Sequence, residues 1–241
     1  MHNYADQLQE WVDQSRSTVF FGGAGVSTES GIPDFRSVDG LYHQQYRYPP
    51  EQMLSHTFYE QHPEEFFRFY RDKLMNEKAE PNQAHLKLAE LEAAGKLDAV
   101  VTQNIDGLHE RAGSRNVFTL HGSVARNYCE QCGAQYDEDF IRNSEDVPHC
   151  TRCGGRVKPD VVLYEEPLNP RIVQDAIEAI RKAELLIVGG TSLVVYPAAG
   201  LLNYFNGDHI VLINRDPTQQ DRRADLIIRD NIGQVLAGIR V

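Results

Sequence analysis

Apolar positions along this chain follow two rhythms. Residues 4–16 place Leu8, Trp11 and Val12 on one face at helical spacing, which predicts an amphipathic helix. A short apolar run follows, Thr18-Val19-Phe20-Phe21, and stops at Gly22-Gly23-Ala24-Gly25. Runs of the same kind recur at Ala99-Val100-Val101-Thr102, Leu185-Leu186-Ile187-Val188, Ile210-Val211-Leu212-Ile213 and Leu226-Ile227-Ile228. They are rich in β-branched residues and too short for helices, so they predict buried strands of a parallel sheet covered on both faces. Helical stretches around 83–94, 170–182 and 197–205 lie between them. That alternation predicts a doubly wound, Rossmann-like α/β fold, and a buried strand feeding a glycine turn is how a nucleotide-binding unit of that fold begins.

Two long segments interrupt the alternation. Residues 31–80 carry Pro33, Pro49, Pro50 and Pro63 among aromatic, helix-like stretches, and residues 124–160 hold all four cysteines. Excursions of this length fold on their own account or serve a function. The expectation is a large domain from residues 1–30, 81–123 and 161–241. A helical insertion, 31–80, and a cysteine-bearing ribbon, 124–160, then form a smaller inserted domain.

Composition narrows the function classes. The 241 residues carry 35 acidic against 24 basic side chains, a formal net charge of −11. That balance argues against binding nucleic acid, whose phosphates demand a basic footprint. No stretch approaches the roughly 18 consecutive apolar residues of a membrane helix. The first ten residues lack the basic start and apolar run of a secretory signal, so a soluble cytoplasmic protein is expected. Nothing in the pattern speaks to oligomeric state.

The pairs Cys129-x-x-Cys132 and Cys150-x-x-Cys153 use every cysteine and stand 17 residues apart. This is zinc-ribbon spacing: two knuckles each present two thiolates, and four sulfurs close a tetrahedron around Zn²⁺. Glycines after each pair, Gly133 and Gly154-Gly155, leave room for the tight turns. Four thiolates fill the shell, so the metal is expected to be structural. Two disulfides would belong to an exported chain, and a redox pair would not come in duplicate.

Gly23-Ala24-Gly25-Val26-Ser27-Thr28 begins like a dinucleotide fingerprint but has Thr28 where the third glycine should stand. A dehydrogenase would show its second strand soon afterwards, ending in an acid about 20 residues on. Here the next strand starts near residue 98, which excludes that class. Polar groups gather after later strands: Gln103, Asn104 and Asp106 after one, Thr191 and Ser192 after another. Ligands of open α/β sheets bind beyond such strand ends. His121, flanked by Gly122, is the natural proton carrier there, because imidazole titrates near about 6.5.

The run Gly23-Ala24-Gly25-Val26-Ser27-Thr28-Glu29-Ser30-Gly31-Ile32-Pro33-Asp34-Phe35-Arg36-Ser37 resembles the opening signature of the sirtuins. Thr102-Gln103-Asn104-Ile105-Asp106-Gly107-Leu108-His109, Leu120-His121-Gly122-Ser123 and Gly190-Thr191-Ser192-Leu193-Val194-Val195-Tyr196-Pro197 resemble later ones, in the family's order. The resemblance spans nearly the whole chain. It implies that acyl groups are removed from protein lysines at the expense of NAD, which is cleaved rather than reduced. His121 would be the general base and Asn104 would position the ribose. Ala24, Thr28, Arg36 and Gln103 would contact the phosphate–ribose part, and Phe35, Ile105 and Asp106 would hold and gate nicotinamide. Thr191, Ser192, Asn214 and Ile232 would face adenosine. Pro159-Asp160-Val161-Val162-Leu163-Tyr164-Glu165-Glu166 resembles the family's substrate strand, so Val162 and Tyr164 would line the acyl-lysine tunnel while its backbone pairs with the peptide.

The chain departs from the family pattern in places. Gly22-Gly23 stands where threonine-glycine is commoner, and Glu165 where glycine is usual. Relatives that prefer acidic acyl groups carry Tyr-x-x-Arg, whereas the matching stretch here is Tyr70-Arg71-Asp72-Lys73. A lysine is a point charge without the bidentate fork, so acetyl and other uncharged acyl groups are expected. A rival reading keeps the fold and NAD but transfers ADP-ribose to protein. Retention of His121 favours deacylation, because a base is needed only for its second stage. A nucleic-acid module built on the ribbon is the other rival. Lys158, Arg152 and Arg156 are offset there by Glu130, Asp137, Glu138 and Asp139.

Overall fold

The short apolar runs assemble edge to edge. In the computed structural model, which describes residues 4–34, 48–75 and 78–241, helix α1 (Tyr4–Gln14) precedes β1 (Thr18–Gly22). Then come α2 (Pro50–Met53), α3 (His56–Gln61), α4 (Pro63–Lys73), α5 (Gln83–Ala93), β2 (Ala99–Thr102), α6 (Leu108–Ala112) and β3 (Val117–Thr119). The cysteine segment contributes β4 (Gly122–Cys129), β5 (Gln135–Tyr136), α7 (Glu138–Arg142) and β6 (Val157–Val161). The chain closes with α8 (Pro170–Lys182), β7 (Leu185–Gly189), β8 (His209–Ile213), β9 (Leu226–Ile228) and α9 (Ile232–Ala237). Strands β3-β2-β1-β7-β8-β9 form one six-stranded sheet, parallel throughout. Its order reverses between β1 and β7, and the functional cleft opens at their carboxyl ends.

Side-chain alternation explains why both faces are covered. Phe20, Val100, Ile187 and Val211 face one core with Leu8 and Val12 of α1, while Val19, Phe21, Val101, Leu186 and Leu212 face the other with Ala176 and Ile180 of α8. A strand with period two and both faces buried leaves little place for polar residues, hence the near-continuous apolar runs, with the buried Thr18 and Thr102 at strand ends. The stretch expected as a helix near 197–205 is a 3-10 helix, Ala198–Tyr204. Strand β3 escaped the sequence reading because it spans only three residues at the sheet edge.

The two interruptions fold against each other. Phe58, Tyr59, Phe66, Phe67, Phe69 and Tyr70 of α3 and α4 share one core with Val124, Cys129, Ile141, Cys150 and Val157 of the ribbon. Each fully buried aromatic or aliphatic side chain there contributes about 1.5–3 kcal/mol. Ser55 caps α3 by accepting the Phe58 N–H at 3.1 Å, and Asp137 caps α7 through the Phe140 N–H at 2.9 Å. The ribbon's strands form a separate antiparallel sheet, β5-β4-β6.

Candidate active site

The turn after β1 owes its shape to close backbone contact. Gly25 N–H donates to the Gly190 carbonyl at 2.8 Å, and a Cβ on Gly25 would lie 2.8 Å from the Gly190 Cα. Only glycines let the β1 and β7 turns approach this closely. Thr28 Oγ1 donates back to the Gly25 carbonyl at 2.9 Å. Asn82, the cap of α5, donates from Nδ2 to the Val26 carbonyl at 2.7 Å and to Ser30 Oγ at 3.0 Å, tying the turn to that helix.

This turn forms one wall of a cleft of about 430 Å³ between the parallel sheet and the small domain. Ala24, Thr28, Gln103, Asn104, Ile105, Asp106, Thr191, Ser192, Asn214 and Ile232 all line it, as do His121, Val162, Tyr164 and Lys73. Residues drawn from distant parts of the sequence thus meet in one place. Phe35 and Arg36 lie outside the described residues. Tyr70 is the exception: it is fully buried in the small-domain core and does not line the cleft. Lys73, three residues on in the last turn of α4, lies on the cleft wall with Leu74.

Hydrogen bonds connect the polar side chains. Asn104 Nδ2 donates to Ser27 Oγ at 3.0 Å, and the Ser27 hydroxyl donates to Asp106 Oδ2 at 2.7 Å. With its amide N–H engaged, Asn104 keeps its carbonyl oxygen as an acceptor. Gln103 Nε2 donates to Thr191 Oγ1 at 3.0 Å, and the Thr191 N–H donates to Asn214 Oδ1 at 3.2 Å. Ser27 was quoted in the sequence only as part of a motif; its bridging role emerges from the packing of β1 beside β2.

His121 is positioned by its neighbours on both sides. A Cβ on Gly122, at φ +80°, would fall 1.9 Å from the Asp160 carbonyl oxygen, so only glycine lets β4 start this close to β6. The His121 carbonyl accepts the Val162 N–H at 3.0 Å. Its Nδ1 lies 2.9 Å from the Gln103 carbonyl. A carbonyl only accepts, so Nδ1 carries the proton and Nε2 keeps a lone pair. Burial lowers the His121 pKa, partly offset by that carbonyl, so the imidazole is neutral and basic near pH 7.

The segment after β6 is latched to α3. The Tyr164 N–H donates to the Leu54 carbonyl and the His56 N–H to the Tyr164 carbonyl, both at 2.9 Å. Glu165, standing where the sirtuin pattern favours glycine, adopts φ +76°, a left-handed conformation costly for a residue with a side chain. Its carboxylate accepts from Thr57 N at 2.9 Å and Thr57 Oγ1 at 2.7 Å. The backbone of Tyr164, expected to pair with a bound peptide, is thus already paired within the protein.

The ribbon's sulfurs converge. Cys129 and Cys153 Sγ lie 3.5 Å apart, Cys132 and Cys150 Sγ 3.6 Å apart, and all four lie within 4.8 Å of one another. Zinc–sulfur bonds of about 2.3 Å set tetrahedral edges of about 3.8 Å, so the cage fits zinc. Tyr136 donates its hydroxyl to Cys150 Sγ at 3.1 Å, a bond of the kind that orients metal ligands. No position remains for a substrate.

Behind the cleft, His85 and His109 meet edge to face at 4.7 Å between ring centres. Burial lowers both pKa values; the neighbouring His85 adds to the effect on His109, and Asp106 opposes it on His85. In the unfolded chain both titrate near about 6.5. As pH falls below that value the unfolded chain takes up protons that the folded chain refuses, so stability declines, whereas above it the pair is neutral in both states. The slope approaches about 1.4 kcal/mol per pH unit for each imidazole. Urea midpoints are expected to drop between pH 7 and pH 5, less so for His109→Phe; equal drops would exclude His109 as a cause.

Fold and site together define a nucleotide-binding α/β protein whose cleft is closed by a zinc-ribbon module. The family model described as Sir2 family matches residues 23–197. A Clostridium perfringens protein called NAD-dependent protein deacetylase is 60% identical over 242 residues, covering 99% of each chain. One of the same name from Cutibacterium acnes is 54% identical, covering 98% of this chain and 97% of its own. The fold matches that of a Sir2 protein solved with a p53 peptide and NAD+, with a TM-score of 0.84 at 40% identity over 95% of this chain and 94% of that one. A Sir2 protein solved with deacetylated p53 peptide and 3′-O-acetyl ADP-ribose gives 0.88 at 38% identity, covering 96% and 95%. The chain belongs to the Sir2 family, the sirtuins.

Proposed function

We propose that the protein removes acetyl groups from protein lysines with NAD as co-substrate, releasing nicotinamide and O-acetyl-ADP-ribose. The observation that carries the reading is His121, its Nδ1–H held by the Gln103 carbonyl and its Nε2 left basic in a cleft that also holds Asn104 and Val162. Relatives that share 60% and 58% of their residues with it are named as deacetylases. NAD, when bound, supplies an electrophilic ribose carbon and nicotinamide as leaving group. The turn Ala24–Thr28 and Gln103 would hold the phosphate–ribose part, and Thr191, Ser192, Asn214 and Ile232 the adenosine half. Ile105 and Asp106 would face nicotinamide together with Phe35, and Arg36 would join the groups on the phosphate–ribose part. The Asn104 carbonyl oxygen would orient a ribose hydroxyl, and His121 Nε2 would take a hydroxyl proton.

The reading is tested by incubating the protein with NAD and an acetyl-lysine peptide. Nicotinamide release should require the peptide and match the acetyl groups lost. ADP-ribose left on protein with the acetyl group intact would support the transferase instead. That second reading is not favoured, because transfer to protein has no use for a base at His121. We place the activity in the cytoplasm, where NAD is available and thiols stay reduced for zinc.

Val162 and Tyr164 would line the acyl-lysine tunnel. Lys73, on the cleft wall, pairs with Asp72 at 3.0 Å, which offsets its charge. With Tyr70 buried elsewhere, no two-residue grip on an acyl carboxylate forms from this pair. The efficiency kcat/KM on acetyl-lysine is expected to exceed that on succinyl-lysine by about tenfold or more. A higher value on succinyl-lysine would overturn the expectation.

A further inference from the structure

The zinc ribbon touches α3 through a compact charged cluster that the proposed chemistry does not use. Tyr59, fully buried on α3, donates its hydroxyl to Glu130 Oε2 at 3.0 Å. Glu130 lies inside the first cysteine knuckle. The same oxygen accepts from Arg156 Nε at 2.8 Å, and the Arg156 guanidinium lies over the Tyr59 ring, 4.1 Å from its centre. Arg156 also pairs with Glu60, the next residue of α3. The Glu130 N–H in turn donates to the Arg156 carbonyl at 3.0 Å. Two ribbon residues, fixed to each other by backbone and side chain, therefore grip two consecutive residues of α3.

The other end of α3 holds the segment assigned to acyl-lysine. His56 gives its N–H to the Tyr164 carbonyl, and its Nδ1 lies 2.9 Å from Glu166 Oε1. Thr57 gives both its N–H and its hydroxyl to Glu165. These bonds sustain the left-handed backbone of Glu165, which a side chain otherwise disfavours. Helix α3 has only six residues, His56–Gln61, so a shift at Tyr59 is carried almost rigidly to His56 and Thr57. A second link runs alongside: Lys158 of β6 donates from Nζ to the Val161 carbonyl at 3.0 Å and to Glu166 Oε2 at 3.2 Å. The dinucleotide side is tied differently. Among the described residues, the turn after β1 and Gln103–Asp106 bond to each other, to Asn82, to Gly190 and Thr191 and to the start of β4, and not to α3.

We propose that Glu130 and Arg156 of the ribbon are positioning residues for the acyl-peptide site, acting through Tyr59 and α3 on Tyr164–Glu166. The inference rests on the reading that Val162 and Tyr164 line that site. Its consequence is a division of labour. Disturbing the cluster weakens the peptide's hold and leaves the hold on NAD intact.

The test is steady-state deacetylation with peptide and NAD varied separately, together with peptide affinity by fluorescence anisotropy and zinc content. Arg156→Gln is expected to raise the KM and the dissociation constant for peptide about tenfold, with kcat and the KM for NAD changed less than about twofold and zinc retained. Arg156→Lys, which restores the charge but not the fork, should recover part of the loss. Should Arg156→Gln fail to fold, Tyr59→Phe removes a single hydroxyl and should show the same split at smaller amplitude. An unchanged peptide affinity, or an equal rise in the KM for NAD, overturns the proposal. Tyr164→Ala separates the two ideas: if it leaves peptide affinity unchanged, the site assignment falls and the inference with it. If Tyr164→Ala weakens peptide binding while the Arg156 variants do not, the inference alone falls.

Discussion

Replacing His121 by alanine is expected to lower the deacetylation rate by about 10²–10⁴, the usual worth of a positioned general base. The argument comes from the imidazole's surroundings. The Gln103 carbonyl fixes the tautomer, so the variant loses a lone pair already aimed into the cleft rather than one that must be found by rotation. The fold should survive. His121 lies at the end of a loop between β3 and β4, and the backbone bond from Val162 N to its carbonyl does not depend on the side chain. Zinc content and thermal midpoint should therefore stay near those of the native protein, which separates lost chemistry from lost structure. Burial holds the His121 pKa below its usual value, so the acid limb of the kcat/KM profile should lie below about 6.5. His121→Ala with native-like turnover would remove the residue from the mechanism.

Cys129→Ala should do the opposite and remove structure first. Cys129 and Cys150 are 1% and 4% exposed and belong to the same core as Phe66, Phe67 and Tyr59. Structural zinc supplies apparent binding energies of about 10–16 kcal/mol in finger peptides, more than the net stability of most domains, about 5–15 kcal/mol. Losing one thiolate leaves three ligands and a hole in the core. The expected result is zinc-free protein, early melting of the small domain and loss of deacetylation, with a strong chelator acting in the same direction on the native protein. Zinc by atomic emission and unfolding by circular dichroism read both. A folded, active, metal-free Cys129→Ala would show that the ribbon stands without its metal.

Sequence patterning revealed a great deal here because the elements are of the kinds it reports well. Strands β1, β2 and β7 are short apolar runs buried on both faces, and Val19, Phe20 and Phe21 alternate between the two cores as period two requires. Strand β9, also expected as a buried strand, lies at the sheet edge and exposes Ile227. The cysteine spacing is specific because tetrahedral thiolate geometry tolerates few alternatives. Edge strand β3 and the 3-10 helix Ala198–Tyr204 were less legible, being too short or too irregular to impose a period. The pair Tyr70 and Lys73 rests on spacing alone, which says that two residues three apart on α4 are neighbours but not how deeply each is buried; Tyr70 lies in the small-domain core and Lys73 on the cleft wall.

The sequence by itself therefore determined the parallel sheet, the glycine turn, the four-sulfur cage and the residue types that any chemistry must draw on. All of these are written in local composition, period and spacing. Tertiary structure decided which of those residues meet. It placed Ser27 between Asn104 and Asp106, aimed His121 by a carbonyl 18 positions away, and set a strained Glu165 against Thr57. Such contacts join segments far apart in the chain, and their distances depend on how the two cores pack. No local pattern encodes that.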